Sequence, residues 1–211
     1  MHGSSTPDIS RFQVAGINYK KTDADIRGQY AIGPEKYEMI LAGAPAFGVS
    51  ELFILSTCNR TEIYGIVGDV AQLIDLLCAY AEGDEKTFRS LAYVKSGHSA
   101  IEHLFNVSAG LDSQILGDYE IIGQIKQAVK FAKERSFIGA FTERIVNCIL
   151  QSSKTIKNTT ELSGGTVSVS FSAVQYLRQN VQSVSHKSVL LCGIGKIGRN
   201  TCKNLVDYLP V

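Results

Sequence analysis

No Cys-x-x-Cys pair occurs in this chain of 211 residues, and its five cysteines (Cys58, Cys78, Cys148, Cys192 and Cys202) are odd in number and far apart. That pattern argues against a disulfide framework and against structural zinc, so no metal is expected and a reducing cytoplasm is the expected compartment. Long apolar runs are also missing. Val189-Leu190-Leu191-Cys192 falls far short of the roughly 20 residues a membrane helix needs, so no membrane association is expected. The first ten residues are polar and hold no apolar stretch, so a signal peptide is not expected either. Charge of one sign is lacking: 21 Lys and Arg face 20 Asp and Glu, for a net charge of +1. A polyanionic partner would therefore have to be met by a local patch. Internal repeats and low-complexity tracts are absent.

What is present is enough apolar material for a core. Hydrophobic residues make up 45% of the chain and charged residues 19%, which excludes a disordered protein. Residues 11–18 alternate as a strand, with Phe12, Val14 and Gly16 against Gln13, Ala15 and Ile17. Pro34 can open a helix over 34–43. Residues 51–56 and 62–67 read as strands flanking the polar stretch 57–61, and Asp69 can cap a helix over 70–81. Strand, helix, strand, strand, helix is the order of an α+β domain, a small sheet packed with helices. A helical segment follows over 98–109, ended by Gly110, then over 119–135 with Ile122, Ile125, Val129 and Ala132 at helical spacing. A further helix covers 140–158, with Ile145, Cys148, Ile149, Ser152 and Ile156 on one face. Ser163-Gly164-Gly165 breaks the chain and marks the expected boundary between a first domain, 1–160, and a second unit, 161–211. There a helix over 167–179 precedes a buried-type strand over 188–192, a glycine-rich turn and a helix through Leu205.

Four groups of residues could carry chemistry. In Ser56-Thr57-Cys58-Asn59-Arg60 the cysteine sits at a polar junction between strands rather than in an apolar run. A thiolate is the nucleophile, a nearby cation favours it, and Arg60 is two residues away. Thr57 and Asn59 add hydrogen-bonding groups. Cys78 and Cys148 lie in apolar runs and are expected in the core. His103 sits mid-helix on the edge of an apolar stripe, a place from which a histidine can reach a cleft or simply pack. The segment 110–120, bounded at its start by Gly110 and containing Gly117, presents Asp112, Ser113, Asp118 and Glu120; by itself it also fits a helix connection with Asp118 as an N-cap. Finally, Gly193-Ile194-Gly195-Lys196-Ile197-Gly198 between a strand and a helix fits the dinucleotide fingerprint. Lys126, Lys130 and Lys133 share one helix face, which suits phosphates or plain solvation.

Gly16-Ile17-Asn18-x-Lys20, Ser56-Thr57-Cys58-Asn59-Arg60-Thr61-Glu62, Gly110-Leu111-Asp112-Ser113-x-Ile115-Leu116-Gly117 and Ile122-Gly123-Gln124-Ile125-Lys126 occur in this order. Together they resemble the glutamyl-tRNA reductase family, which begins five-carbon tetrapyrrole (porphyrin) biosynthesis. The resemblance implies that Cys58 attacks the ester of glutamyl-tRNA to give a thioester, which NADPH reduces to glutamate-1-semialdehyde. It implies a glutamate pocket formed by Thr57, Asn59, Arg60, Ser113, Asp118, Glu120 and Gln124, with His103 needed for activity and Arg60 facing the substrate carboxylate. NADPH would lie on 193–198, the start of a Rossmann-like α/β domain. The chain departs from the family at Tyr19, where histidine is usual, and at Asp118-Tyr119-Glu120, where Glu-Pro-Gln is usual. The resemblance further implies a longer protein with the rest of the NADPH domain and a C-terminal dimerisation domain, a homodimer, and possible hand-over to a downstream aminotransferase. The 211 residues would then be a truncated piece whose cofactor site is incomplete. Two other readings fit the same residues: an unrelated nicotinamide-dependent dehydrogenase in which only the glycine fingerprint functions, and a non-catalytic tRNA- or protein-binding relative.

Overall fold

Strand β1 (Phe12–Asn18) is buried at every position but Gln13 because it runs inside a sheet with helices on both faces. The computed structural model describes residues 8–160, 162 and 169–209. Strands β2 (Leu52–Ser56), β3 (Arg60–Ile66) and β4 (Tyr93–Ser96) complete an antiparallel sheet of order β2-β3-β1-β4. Three of these strands lie within two residues of where the alternation puts them. The fourth, β4, is only four residues long and its burial alternates weakly, so it carries too little pattern to stand out. It forms because β1 offers it a free edge, pairing Tyr93 with Gly16 and Lys95 with Val14.

Pro34 opens α2 (Pro34–Gly43) as expected. Two short helices were not expected, α1 (Ala24–Gln29) and α4 (Glu85–Leu91). Neither is long enough to show a period, and each is started by an aspartate side chain: Asp23 accepts from the Ile26 amide at 2.8 Å and Asp84 from that of Thr87 at 2.9 Å. Helix α3 (Ala71–Cys78) ends three residues before its expected limit, and Asp69 accepts from the Ala71 amide at 2.9 Å.

Register decides which residues share a face. Gly16 lies opposite Glu62, Asn18 opposite Arg60, and Phe53 opposite Tyr64. These positions, with Tyr93 and Lys95, line the face covered by α5 (Gly97–Ser108) and α7 (Ala140–Thr159), from which His103 and Phe141 reach the sheet. Helix α3 covers the other face; a Cβ on Gly65 would meet the Leu73 side chain at 2.8 Å. The β2 edge is closed by α2, by α6 (Glu120–Lys133) and by the connection after it. The Leu52 amide donates to the Phe137 carbonyl at 3.0 Å, and that of Ile54 to the Tyr37 hydroxyl at 2.9 Å. Tyr37 in turn donates to the Ala128 carbonyl at 3.0 Å, so this edge offers no template for strand addition at these positions.

Helix α7 buries Thr142, Ile145, Val146, Ile149 and Ser153. The buried stripe is thus rotated from the expected one: Cys148 is exposed rather than in the core, and Ser152 and Ile156 are half-buried. Cys78 is half-buried. Ser163-Gly164-Gly165 lies outside the described residues.

Helices α8 (Val169–Asn180) and α9 (Lys196–Tyr208) pack together around Val174, Leu205 and Leu209, a cluster separate from the main core. The strand expected over 188–192 does not form. The segment joins no ladder, and Leu190 is 88% exposed. A strand needs a neighbour to take its N–H and C=O groups, and no described segment lies alongside to do so. Among the described residues no helix is long and apolar enough to cross a membrane.

Candidate functional site

The turn between β2 and β3 is held by its own backbone and by two neighbours. The Thr57 amide donates to the Arg60 carbonyl at 2.8 Å, while the Thr57 hydroxyl oxygen accepts from the amides of Asn59 (3.1 Å) and Arg60 (3.2 Å). The Tyr19 amide donates to the Asn59 carbonyl at 2.9 Å, and Arg27 donates through Nε to the Cys58 carbonyl at 2.9 Å and through its guanidinium to the Thr22 carbonyl. Cys58 is exposed at the tip of this turn. Thr57 therefore shapes the turn, and Arg27, absent from the sequence-predicted set, is a cation fixed against the nucleophile's own backbone.

Below the turn, Arg60, Glu62 and Tyr64 follow each other along one face of β3. Arg60 is 1% exposed and Glu62 is 0% exposed. Glu62 accepts from Arg60 at 2.9 Å, from the Tyr64 hydroxyl at 2.7 Å, from His103 Nε2 at 2.8 Å and from the Tyr93 hydroxyl. Burial alone would raise the Glu62 pKa; the His103 hydrogen bond and the Arg60 charge outweigh it and hold the carboxyl at about 2. Burial and the same carboxylate push the Tyr64 and Tyr93 hydroxyls up, which keeps them protonated as donors. An ionised Glu62 only accepts, so the imidazole carries its proton on Nε2. Gly16 makes room for this cluster: a Cβ there would meet Glu62 Cγ at 2.7 Å and the Thr61 carbonyl at 2.8 Å.

Arg60 does not present the free guanidinium expected of it. Besides Glu62, it donates to the Asp112 carboxylate at 3.1 Å and to the Asp112 carbonyl. A buried guanidinium needs partners for its donors, and the fold supplies them from within. Its consequence is to tie the Cys58 turn to the loop 110–118. Lys20 also pairs with Asp112, and the Tyr19 hydroxyl donates to the Ser113 carbonyl at 3.3 Å. Burial would raise the Asp112 carboxyl, but Lys20 and Arg60 hold it below the usual carboxylate range. Gly110 and Gly117 give the loop its two left-handed residues, at φ +74° and +79°.

The loop brings Ser113 to the Tyr19 end of β1. Asp118 lies where the loop enters α6 and accepts from the Glu120 amide at 3.0 Å. Glu120 and Gln124 are exposed on the first turns of α6. Gln124 lines a cavity of about 330 Å3 with Ser56, Ile32 and Tyr37, and His103 lines another of about 240 Å3 with Asn18, Tyr93 and Asp112. Glu62, Tyr93, Asp112 and Arg27 are the participants that sequence reasoning missed. The signal for Glu62 was a carboxylate on the inward face of a strand beside a glycine; the others carried none. Lys130 pairs with Glu134 at 3.7 Å and Lys133 with Glu143 at 2.5 Å, so the lysine row of α6 is partly neutralised.

In the second unit, Gly193 has φ +121°, Gly195 is the N-cap of α9, and a Cβ on Gly198 would strike the Gly193 carbonyl. All three positions thus behave as a glycine turn into a helix requires. Ile194 and Ile197 are exposed, and the Lys196 side chain lies outside the described residues.

A four-stranded antiparallel sheet that displays one thiol at a hairpin tip, above a buried arginine–carboxylate–histidine network, defines the class: an α+β domain organised around a cysteine. The family follows from comparison with known proteins. Residues 15–160 match the family described as glutamyl-tRNAGlu reductase, N-terminal domain, and the chain belongs to that family. Glutamyl-tRNA reductase of Flavobacterium psychrophilum is 48% identical over 208 residues, covering 99% of this chain and 50% of the relative. That of Christiangramia forsetii is 49% identical over 197 residues, covering 93% and 47%. The chain spans about half the length of the curated relatives it matches. Among solved structures, glutamyl-tRNA reductase from Methanopyrus kandleri superposes with a TM-score of 0.67 at 28% identity, covering 94% of this chain and 47% of that one.

Proposed function

We infer that this chain is the acyl-accepting part of an NADPH-dependent, cytoplasmic glutamyl-tRNA reductase, with glutamyl-tRNA as substrate and glutamate-1-semialdehyde as product. The observation that carries the reading is the exposed Cys58 at a turn clamped by Arg27 and Tyr19. The Cys58 thiolate adds to the carbonyl carbon of the glutamyl ester. The tetrahedral adduct collapses with cleavage of the carbon–oxygen bond to the terminal ribose, and the tRNA leaves as its alcohol after taking up a proton. The glutamyl group remains as a thioester on Sγ. Oxyanion and chain contacts fall to Thr57, Asn59, Ser113, Asp118, Glu120 and Gln124, while Arg60 and Glu62 hold the turn, the loop and His103 in one frame.

Residues 1–160 form the catalytic domain in this reading, and 161–211 the first strand and helix of a Rossmann-like NADPH domain. What supports the division is the separate cluster of Val174, Leu205 and Leu209. What supports the cofactor site is the glycine requirement at Gly193 and Gly198, which leaves the turn open for a pyrophosphate at the start of α9. NADPH would supply the hydride that converts the thioester to the aldehyde. The 211 residues alone would stop at the thioester and lose it slowly to water. Homodimerisation and hand-over of the aldehyde to an aminotransferase belong to the longer protein in the same reading.

The test is incubation of the chain with radiolabelled glutamyl-tRNA. Acid-stable, thiol-sensitive label on the protein, absent from Cys58→Ser, is expected; label that survives Cys58→Ser overturns the assignment.

A further inference from the structure

The cavity that His103 lines holds a positive charge the fold does not cancel. It opens between β1, β4 and α5, encloses about 240 Å3, and is walled by Asn18, Lys20, Lys95, His103, Asn106 and Asp112. Asp112 is matched by Lys20 and Arg60. Lys95 is half-buried on β4, opposite Val14 and on the same face as Glu62. Among the described residues it makes no ion pair and no side-chain hydrogen bond.

We propose that this cavity is a carboxylate subsite in which Lys95 binds the side-chain carboxylate of the glutamyl group and so selects glutamyl over glutaminyl esters. The proposal rests on the reading of Cys58 as the acyl acceptor. Three observations carry it. First, the guanidinium of Arg60 is engaged by Glu62 and Asp112, so a substrate carboxylate needs another cation. Second, two lysines against one aspartate leave a single unmatched positive charge, which suits a monoanion; a phosphate dianion would also face Asp112. The amides of Asn18 and Asn106 supply neutral donors beside it. Third, the cavity lies at the Cys58 end of the sheet, because Asn18 is in register with Arg60 and the Tyr19 amide bonds the Asn59 carbonyl. A neutral glutaminyl side chain would leave Lys95 without a counter-charge, and that difference is the source of selectivity.

The experiment measures binding of L-glutamate 1-methyl ester, L-glutamine methyl ester and inorganic phosphate to the Cys58→Ser chain by NMR titration. The glutamate ester is expected to bind more tightly than the glutamine ester. That preference should fall about 10- to 100-fold on adding Lys95→Met, the loss of one charge-assisted contact. Lys95→Arg should restore most of it, which a merely structural role would not. Equal binding of the two esters, an unchanged preference in Lys95→Met, or displacement of the glutamate ester by equimolar phosphate overturns the subsite. Labelling of the unsubstituted chain by glutamyl-tRNA is scored in parallel. Label on Cys58 with an unmoved preference sinks the subsite alone. A Lys95-dependent preference without label sinks the Cys58 reading and leaves an anion subsite standing.

Discussion

Oε1 of Glu62 lies 2.8 Å from Nε2 of His103, and both side chains are buried beneath the turn that displays Cys58. The contact joins the centre of the sheet to α5, and through Arg60 to the loop carrying Ser113. A carboxylate removed from water is tolerated here because four donors converge on it.

Stability should fall in acid through this residue. The folded carboxyl stands at about 2 against an ordinary value of 4.5. Its contribution is therefore fully present above about pH 4.5 and is lost as the pH drops through 2. The difference corresponds to about 3 kcal/mol. Denaturant titrations between pH 6 and pH 3 should show most of this loss, whereas Glu62→Gln should be less stable at pH 6 and flatter below it.

Gly16→Ala should destabilise the domain by about 1–3 kcal/mol, since the new methyl would be forced against Glu62 Cγ and the Thr61 carbonyl. Urea unfolding at neutral pH checks this; a variant as stable as the parent would mean that the Glu62 cluster can move aside.

Tyr37→Phe tests the closed sheet edge. Removing one oxygen unpairs both the Ile54 amide and the Ala128 carbonyl, at an expected cost of about 1–3 kcal/mol. Hydrogen exchange at Ile54 should accelerate more than at Leu52, whose amide has a separate partner in Phe137.

The five thiols should divide by exposure. Burial, reinforced by the nearby Glu85 carboxylate, pushes the Cys78 thiol up to about 12, so it should resist alkylation at pH 8 until the protein unfolds. Cys58, Cys148, Cys192 and Cys202 are exposed and should all be modified in the folded chain. Mass spectrometry of the alkylated peptides distinguishes the sites, and rapid modification of Cys78 would contradict its burial.

The strands β1, β2 and β3 and the long helices were legible because each is written in side chains that repeat at the period of its own backbone. Pro34 and Gly110 marked helix ends through local backbone chemistry, and the cysteine stood out at Cys58 because its neighbours are polar. The rotation of the α7 stripe that exposes Cys148 was not legible: several faces of that helix are apolar enough, and only the packing against α5 and α6 selects one.

The amino-acid sequence by itself determined the order of the elements, the displayed cysteine and the family motifs around it, all matters of residues within a few positions of one another. The tertiary structure alone decided where the charges go. Glu62 meets His103 across 41 residues and Arg60 meets Asp112 across 52, so a guanidinium that looks free in the sequence is engaged in the fold. Likewise β4 became a strand and 188–192 did not. A strand exists only when a neighbour takes its backbone hydrogen bonds, and that neighbour is set by the fold rather than by the segment itself.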